Sequence, residues 1–292
     1  MSKPEPVSSF QSLGLPSELI QALEDVGYET PSPIQLGTIP PLLEGRDLLG
    51  HAPTGTGKTA AFAIPIIQHL SNDQRNSRDK QKILSLVITP TRELAIQIGE
   101  SFTTYGKYTN VKNTVIFGGV PQRSQTNILK RGVDVLVATP GRLLDLIDQG
   151  YISLQDVKYF VLDEADRMLD MGFINDIKKI LNKLPRERQS LFFSATMPKN
   201  IINLSQKILI NPKKVEVNPV SSTAETIHQY LYTTNKTSKG KLLLHILKDP
   251  EINKVLIFSR TKHGSDRIVR KLLKKNIPSA AIHGNKSQNQ RQ

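Results

Sequence analysis

From Asp47 onward the chain alternates between short apolar runs and longer stretches in which apolar residues recur every three or four positions. The runs Ile83–Thr89, Asn113–Phe117, Val133–Ala138, Tyr159–Leu162 and Ser190–Ser194 are apolar and rich in β-branched residues, and Asp47-Leu48-Leu49-Gly50 is a shorter one. Near-continuous apolar strands separated by amphipathic helices predict an α/β fold with a parallel sheet buried on both faces. Each run ends in small or polar residues, such as Thr89-Pro90-Thr91, Thr139-Pro140-Gly141 and Asp163-Glu164. In such sheets the carboxyl ends of the strands form the binding edge, so the candidate chemistry falls on one side of the domain.

The flanks read differently. Before Asp47, Pro16 stands at a tolerated first helical position, and the spacing of Leu19, Ile20 and Leu23 gives an apolar face that ends at Gly27. A second helix is expected from Thr30 as N-cap and Pro31 at its first position, interrupted at Pro40-Pro41 and closed by Gly45. Residues 211–226, bearing proline and serine with weak periodicity, read as a linker. Beyond it Ile227–Thr233, Lys254–Ser259 and Ser279–His283 read as strands, the first two each followed by a helix, so that a second α/β unit begins. Three strands over 227–292 would leave a sheet edge and helix faces uncovered. The expected division is therefore 1–45, 46–210, the linker 211–226, and a partial second domain over 227–292.

The sharpest local signal is Ala52-Pro53-Thr54-Gly55-Thr56-Gly57-Lys58-Thr59, between a short apolar segment and the helix-prone run Ala60 to Leu70. Strand, glycine-rich loop and helix together form a phosphate cradle, with backbone N–H groups turned inward and a helix N-terminus beneath the anion. Lys58 would reach the β- and γ-phosphates of a nucleotide, and the Thr59 hydroxyl would take one position on Mg²⁺. The bland alternative is a flexible glycine turn with a stray lysine. Tyr159–Leu162 then ends in two acids. Asp163 is placed to hold Mg²⁺ through water and Glu164 to position or deprotonate an attacking water. Alternatively, the two acids merely cap the next helix.

Asp163-Glu164-Ala165-Asp166 spells DEAD, and with the phosphate loop the chain resembles the DEAD-box ATP-dependent RNA helicases, most closely their compact bacterial members. The resemblance runs in the family's order from Phe10 to Arg291 through Pro90-Thr91-Arg92-Glu93-Leu94-Ala95, Gly118-Gly119, Thr139-Pro140-Gly141-Arg142 and Ser194-Ala195-Thr196. It implies a RecA-like P-loop domain followed by an incomplete second RecA-like domain. Gly27 to Gln35 matches the family's Q motif: the Gln35 amide would select adenine, and Phe10 would stack on it. Ser194 and Thr196 would bond Asp166 and link hydrolysis to strand separation, although a plain helix cap after Pro198 remains the other reading. Pro90, Thr91, Arg92, Gly118, Gly119, Thr139, Pro140, Gly141 and Arg142 would grip an RNA backbone without reading its bases. Val255 to Lys262 resembles motif IV, and Arg267, Arg270, Lys271, Lys274 and Lys275 lie on the helix that follows. A solvated amphipathic face is the favoured reading of those five, and a basic binding face the alternative. His51 and His283 receive no role.

Composition adds a partner and a compartment. The net charge of +13 favours a polyanion, and from Glu216 onward there are 14 basic against 5 acidic residues. There is no cysteine, which fits a reducing cytosol, no apolar run of membrane-spanning length, and a polar start without signal-peptide character. The expectation is a cytoplasmic RNA-stimulated ATPase using ATP and Mg²⁺, binding RNA without sequence preference and unwinding duplexes locally. Two later family motifs, one of them carrying an arginine finger, lie beyond the matched segment. Weak or absent turnover is therefore expected of these residues alone. A non-catalytic RNA- or partner-binding fragment is the alternative, and a DNA-directed P-loop ATPase is a weaker third reading.

Overall fold

A computed structural model describes residues 9–73, 82–217 and 227–291. The chain divides into two units, over 1–221 and 222–292. In the first, seven parallel strands lie in the order β3-β4-β2-β5-β6-β1-β7. They are β1 (Leu48–His51), β2 (Ser85–Ile88), β3 (Asn113–Ile116), β4 (Val135–Ala138), β5 (Tyr159–Leu162), β6 (Gln189–Ser194) and β7 (Lys213–Glu216). The first six coincide with the apolar runs. The seventh lies in the stretch expected to be linker: Lys213–Glu216 pairs in parallel with β1, leaving 218–226 outside the described residues. Only Val215 of β7 is buried, so this edge strand carries almost no hydrophobic signature.

Helices cover both faces. On one lie α1 (Ser17–Glu24), α2 (Pro33–Leu43), α3 (Lys58–Asn72) and α4 (Arg92–Tyr105), whose Leu19, Ile34, Phe62 and Ile98 share a core with Val87, Val161 and Phe193. On the other lie α6 (Pro140–Asp148), α7 (Ala165–Asp170), α8 (Ile174–Leu181) and α9 (Lys199–Ile208), packed on Leu86, Ile88, Phe160, Leu162 and Phe192. The short α5 (Gln122–Leu129) contributes the half-buried Leu129 to that second cluster. Successive residues of β2, β5 and β6 thus enter opposite cores, as a strand buried on both faces requires. Helices α1 and α2, expected as a separate segment 1–45, belong to the core of the sheet.

Two helix starts differ from expectation. Pro16 is the N-cap of α1, not its first residue. The N-cap of α2 is Ser32, not Thr30, with Pro33 at the first position and a capping box closed by Gln35. Helix α2 also continues through Pro40-Pro41. Those prolines each remove a backbone donor, but Ile39 and Leu42 around them are fully buried, and that packing outweighs the local preference.

The second unit holds α10 (Lys239–Ile246), α11 (Lys262–Leu273) and α12 (Gln288–Arg291). The segments 227–233, 254–259 and 279–283, expected as strands, form no ladder among the described residues. Strand periodicity becomes a sheet only when neighbours supply pairing and cover, and here Leu231 and Phe258 are more than nine-tenths and nine-tenths exposed.

Candidate active site

The phosphate loop joins β1 to α3. Gly55 and Gly57 take φ of +86° and +92°, in the left-handed region that favours glycine. A Cβ on Gly57 would stand 2.6 Å from Gln35 Nε2, so this glycine is required twice over. Lys58 is buried and its Nζ donates to the Ala52 carbonyl at 2.9 Å, folding the ammonium back across the loop. The loop is tied down from α2: Ser32 Oγ donates to Thr56 O (2.8 Å) and Gln35 Nε2 to Gly57 O (3.2 Å). Gln35 Oε1 meanwhile accepts from the Ser32 amide at 2.8 Å. Both ends of the Gln35 amide are therefore engaged by backbone.

At the end of β5, two strands from β1 across β6, Asp163 is 2% exposed and accepts from the Glu164 amide at 2.9 Å. Burial pushes its carboxyl up to about 6; Lys58 opposes this, and Glu164 and Asp166 add to it. A desolvated carboxylate beside a lysine and a phosphate loop is the environment a divalent cation relieves. Among the described residues no group of three or more His, Cys, Asp or Glu side chains forms a cage. Mg²⁺ keeps waters and substrate oxygens around one or two protein ligands and does not require such a cage. Asp163 has the chemistry of such a ligand, and Thr59 stands in the first turn of α3 directly after the loop.

Glu164 adopts φ 53°, ψ 49°, uncommon for a residue with a side chain. It stands at the N-cap of α7 but makes no capping bond, which removes the capping explanation for its position. Instead Thr54 Oγ1 donates to Oε1 at 3.4 Å and Arg167 NH1 pairs with Oε2 at 3.2 Å. The strained backbone aims the carboxylate at the phosphate loop and a salt bridge holds it there.

The turn after β6 grips the last acid of the stretch. Thr196 donates to Asp166 Oδ2 from its amide (2.9 Å) and its hydroxyl (2.8 Å), and the Asp166 amide donates to Ser194 Oγ (3.3 Å). Burial alone would raise Asp166, but the bonds from Thr196 and Ser194 hold it below the ordinary carboxylate range. Helix α9 has Pro198 as its N-cap and no side-chain cap, so Ser194 and Thr196 bond Asp166 and do not cap the next helix.

The residues assigned to RNA lie at the ends of β2, β3 and β4. Thr91 caps α4, accepting from Leu94 N, and Pro90 precedes it. The Arg92 guanidinium packs over Gly119, whose φ is +82° and where a Cβ would collide with it. Thr139 and Pro140 open α6, with Gly141 facing open space, as does Gly118. Arg142 is only partly available: it donates to Gln125 Oε1 (3.3 Å) and Val120 O (3.4 Å) and pairs with Asp145 (3.5 Å). It is a tether between α6 and the turn after Gly119 more than a solvated helix residue. Phe10 is 3% exposed against Tyr28 at 6.0 Å, beside a cleft of about 300 Å³ lined also by Gly27 and Glu29.

Ser32 and Arg167 carry contacts to the site that were not expected from the sequence, and His51, expected to have no role, also makes two. Ser32 had a signal, the S-x-x-Q spacing to Gln35. Arg167 had the weaker one of standing three residues from Glu164 on a helix. His51 had none, because its partners Ala195 and Glu216 are remote in sequence.

A family model of the DEAD/DEAH box helicases matches residues 32–204. The DEAD-box ATP-dependent RNA helicase RhpA of Helicobacter pylori strain B128 is 42% identical over 283 residues, 97% of this chain and 56% of its own length. The ATP-dependent RNA helicase dbp2 of Schizosaccharomyces pombe is 40% identical over the whole of this chain and 54% of its own length. A crystal structure of a DEAD box protein from Methanococcus jannaschii superposes with TM-score 0.67 at 37% identity, covering 97% of this chain and 75% of that one. The chain spans about half the length of the curated relatives it matches. It belongs to the DEAD/DEAH box helicase family.

Proposed function

We propose that this chain is the ATP- and RNA-binding portion of an ATP-dependent RNA helicase whose ATP hydrolysis drives local duplex unwinding. One observation carries the reading: Asp166, the last acid of the DEAD stretch, is held by Thr196 and contacts Ser194 while its neighbours Asp163 and Glu164 face the phosphate loop. Lys58, released from the Ala52 carbonyl, would turn to the β- and γ-phosphates. Mg²⁺, held through Thr59 and Asp163, would supply charge neutralisation across those phosphates. Glu164, fixed by Thr54 and Arg167, would take the proton of the attacking water as its oxygen bonds to the γ-phosphorus and the bond from that phosphorus to the β–γ bridging oxygen breaks, releasing ADP and phosphate. Gln35 would exchange its Gly57 contact for adenine, with Phe10 and the cleft beside Gly27 flanking the base. The uncapped N-terminus of α6, the remaining amides at the start of α4 and the Gly118–Gly119 turn would hold RNA phosphates. No described helix is long and apolar enough to cross a membrane, and a cytoplasmic location belongs to this reading.

The test is titration of the 292-residue chain with a fluorescent ATP analogue and Mg²⁺, and separately with a single-stranded RNA. Lys58→Ala and Asp163→Asn are expected to weaken nucleotide binding about tenfold or more while RNA binding stays within about twofold, as loss of charge-assisted contacts predicts. Unchanged nucleotide affinity in Lys58→Ala would overturn the assignment. RNA binding without nucleotide binding in the unaltered chain would favour the non-catalytic alternative.

A further inference from the structure

The ring of His51 sits between two groups that only accept protons. Nδ1 stands 3.2 Å from Glu216 Oε1, and Nε2 stands 3.1 Å from the carbonyl oxygen of Ala195. A neutral imidazole has one donor nitrogen and one acceptor, so it satisfies one of these contacts and opposes the other. An imidazolium satisfies both.

What the bridge connects gives it meaning. His51 is the last residue of β1, and Ala52 opens the phosphate loop. The Ala52 amide donates to Ser194 O at 3.2 Å, and its carbonyl receives Lys58. Ala195 lies between the two residues that contact Asp166, and Ser194 Oγ closes that turn on Thr196 O at 2.7 Å. We propose that His51 is a positioning residue: its doubly protonated ring clamps the Ser194–Thr196 turn and β7 to the strand that carries the phosphate loop. Loss of one ring proton frees either Ala195 or Glu216. The consequence for ATP rests on the function proposed above; the clamp itself does not.

The charged surroundings are simple. From β7 come Glu216 and, two residues earlier on the same face, the exposed Lys214. The turn after β6 offers hydroxyls and carbonyls but no titratable side chain. From α7, Asp166 stands one link away, occupied by Thr196. Glu216 is therefore the anion in contact with the ring, and removal of either ring proton opens one side of the clamp.

The test uses the nucleotide-free 292-residue chain. His51→Gln is expected to lower the melting temperature by about 2 °C at about pH 5.5, and by less than half as much at about pH 8.5. Glu216→Gln supplies an amide that donates to a neutral Nδ1 and leaves Nε2–H for Ala195. This variant is expected to flatten the pH dependence and to match or exceed the unaltered chain at alkaline pH. Nitrogen-15 spectra, with His51→Gln identifying the signal, should show protons on both ring nitrogens at the acid end. A pH-independent deficit in His51→Gln, a single ring N–H at about pH 5.5, or a Glu216→Gln profile identical to the unaltered chain would each overturn the clamp. Failure to bind ATP with these shifts intact would overturn the proposed function and leave the clamp standing.

Discussion

At the scale of single residues, Gln35 and Asp163 show how one side chain serves both fold and site. Gln35 closes the capping box of α2 through Oε1 and pins the phosphate loop through Nε2. The two duties separate chemically. Gln35→Glu keeps an acceptor for the Ser32 amide and loses the donor; Gln35→Ala loses both. The expectation is that Gln35→Glu retains most of the thermal stability yet binds ATP poorly, whereas Gln35→Ala also loses about 1 kcal/mol of stability, the usual value of a cap. Equal melting losses in both variants would refute this separation. Asp163 has its folded-state carboxyl raised to about 6, chiefly by burial. An acid raised in the folded state favours folding at low pH, and that advantage is lost as pH climbs through about 6. In a metal chelator, Asp163→Asn should therefore melt like the unaltered chain in acid and above it at alkaline pH, by roughly 1–3 kcal/mol of stability. A variant less stable at alkaline pH would reverse the sign and refute the desolvation account. The type and order of these residues were legible in the sequence. The remote partners of Gln35, Glu164 and His51 were not, because Gly57 O, Thr54 Oγ1 and Ala195 O are reached only after the strands are in register.

At the scale of elements, the central strands were legible because they are buried on both faces and therefore apolar throughout. Edge elements lack that signature. Strand β7 buries one side chain and passes for linker, and the extended segments of the second unit show that apolar alternation does not by itself make a ladder. Helix α4 illustrates a constraint that periodicity cannot reveal. Its buried Gly99 lies so close to Val115 of β3 that a Cβ there would overlap the Val115 methyl. Gly99→Ala is expected to cost about 1–3 kcal/mol, the range for overpacking, despite alanine's better helix propensity. Adding Val115→Ala should recover part of the loss, because the two changes are coupled through contact. Strict additivity of the pair in chemical denaturation would show that α4 does not need this close approach.

At the scale of the whole sheet, strand order sorts the chemistry. The phosphate loop, the DEAD acids and the Ser194–Thr196 turn follow β1, β5 and β6, which are neighbours, while Arg92, Gly119 and Thr139 follow or flank β2, β3 and β4, which are neighbours on the other half. β2 and β5 pair directly, so the two halves meet along a single ladder. On the proposed function, RNA held on the β2 half through small residues and helix N-termini would offer no base edge to read, and its affinity would come from phosphates. Binding of single-stranded RNAs of unrelated sequence is therefore expected to fall together as salt rises, each with the same slope of log affinity against log salt. Arg92→Ala removes one cation while leaving the Gly119 turn free of any new side chain. It should lower the magnitude of that slope by about 0.7, the value for one phosphate contact on a single strand, and weaken all sequences alike. A sequence-dependent loss would instead mean that Arg92 reads bases, and an unchanged slope would place the RNA path away from the Gly119 turn.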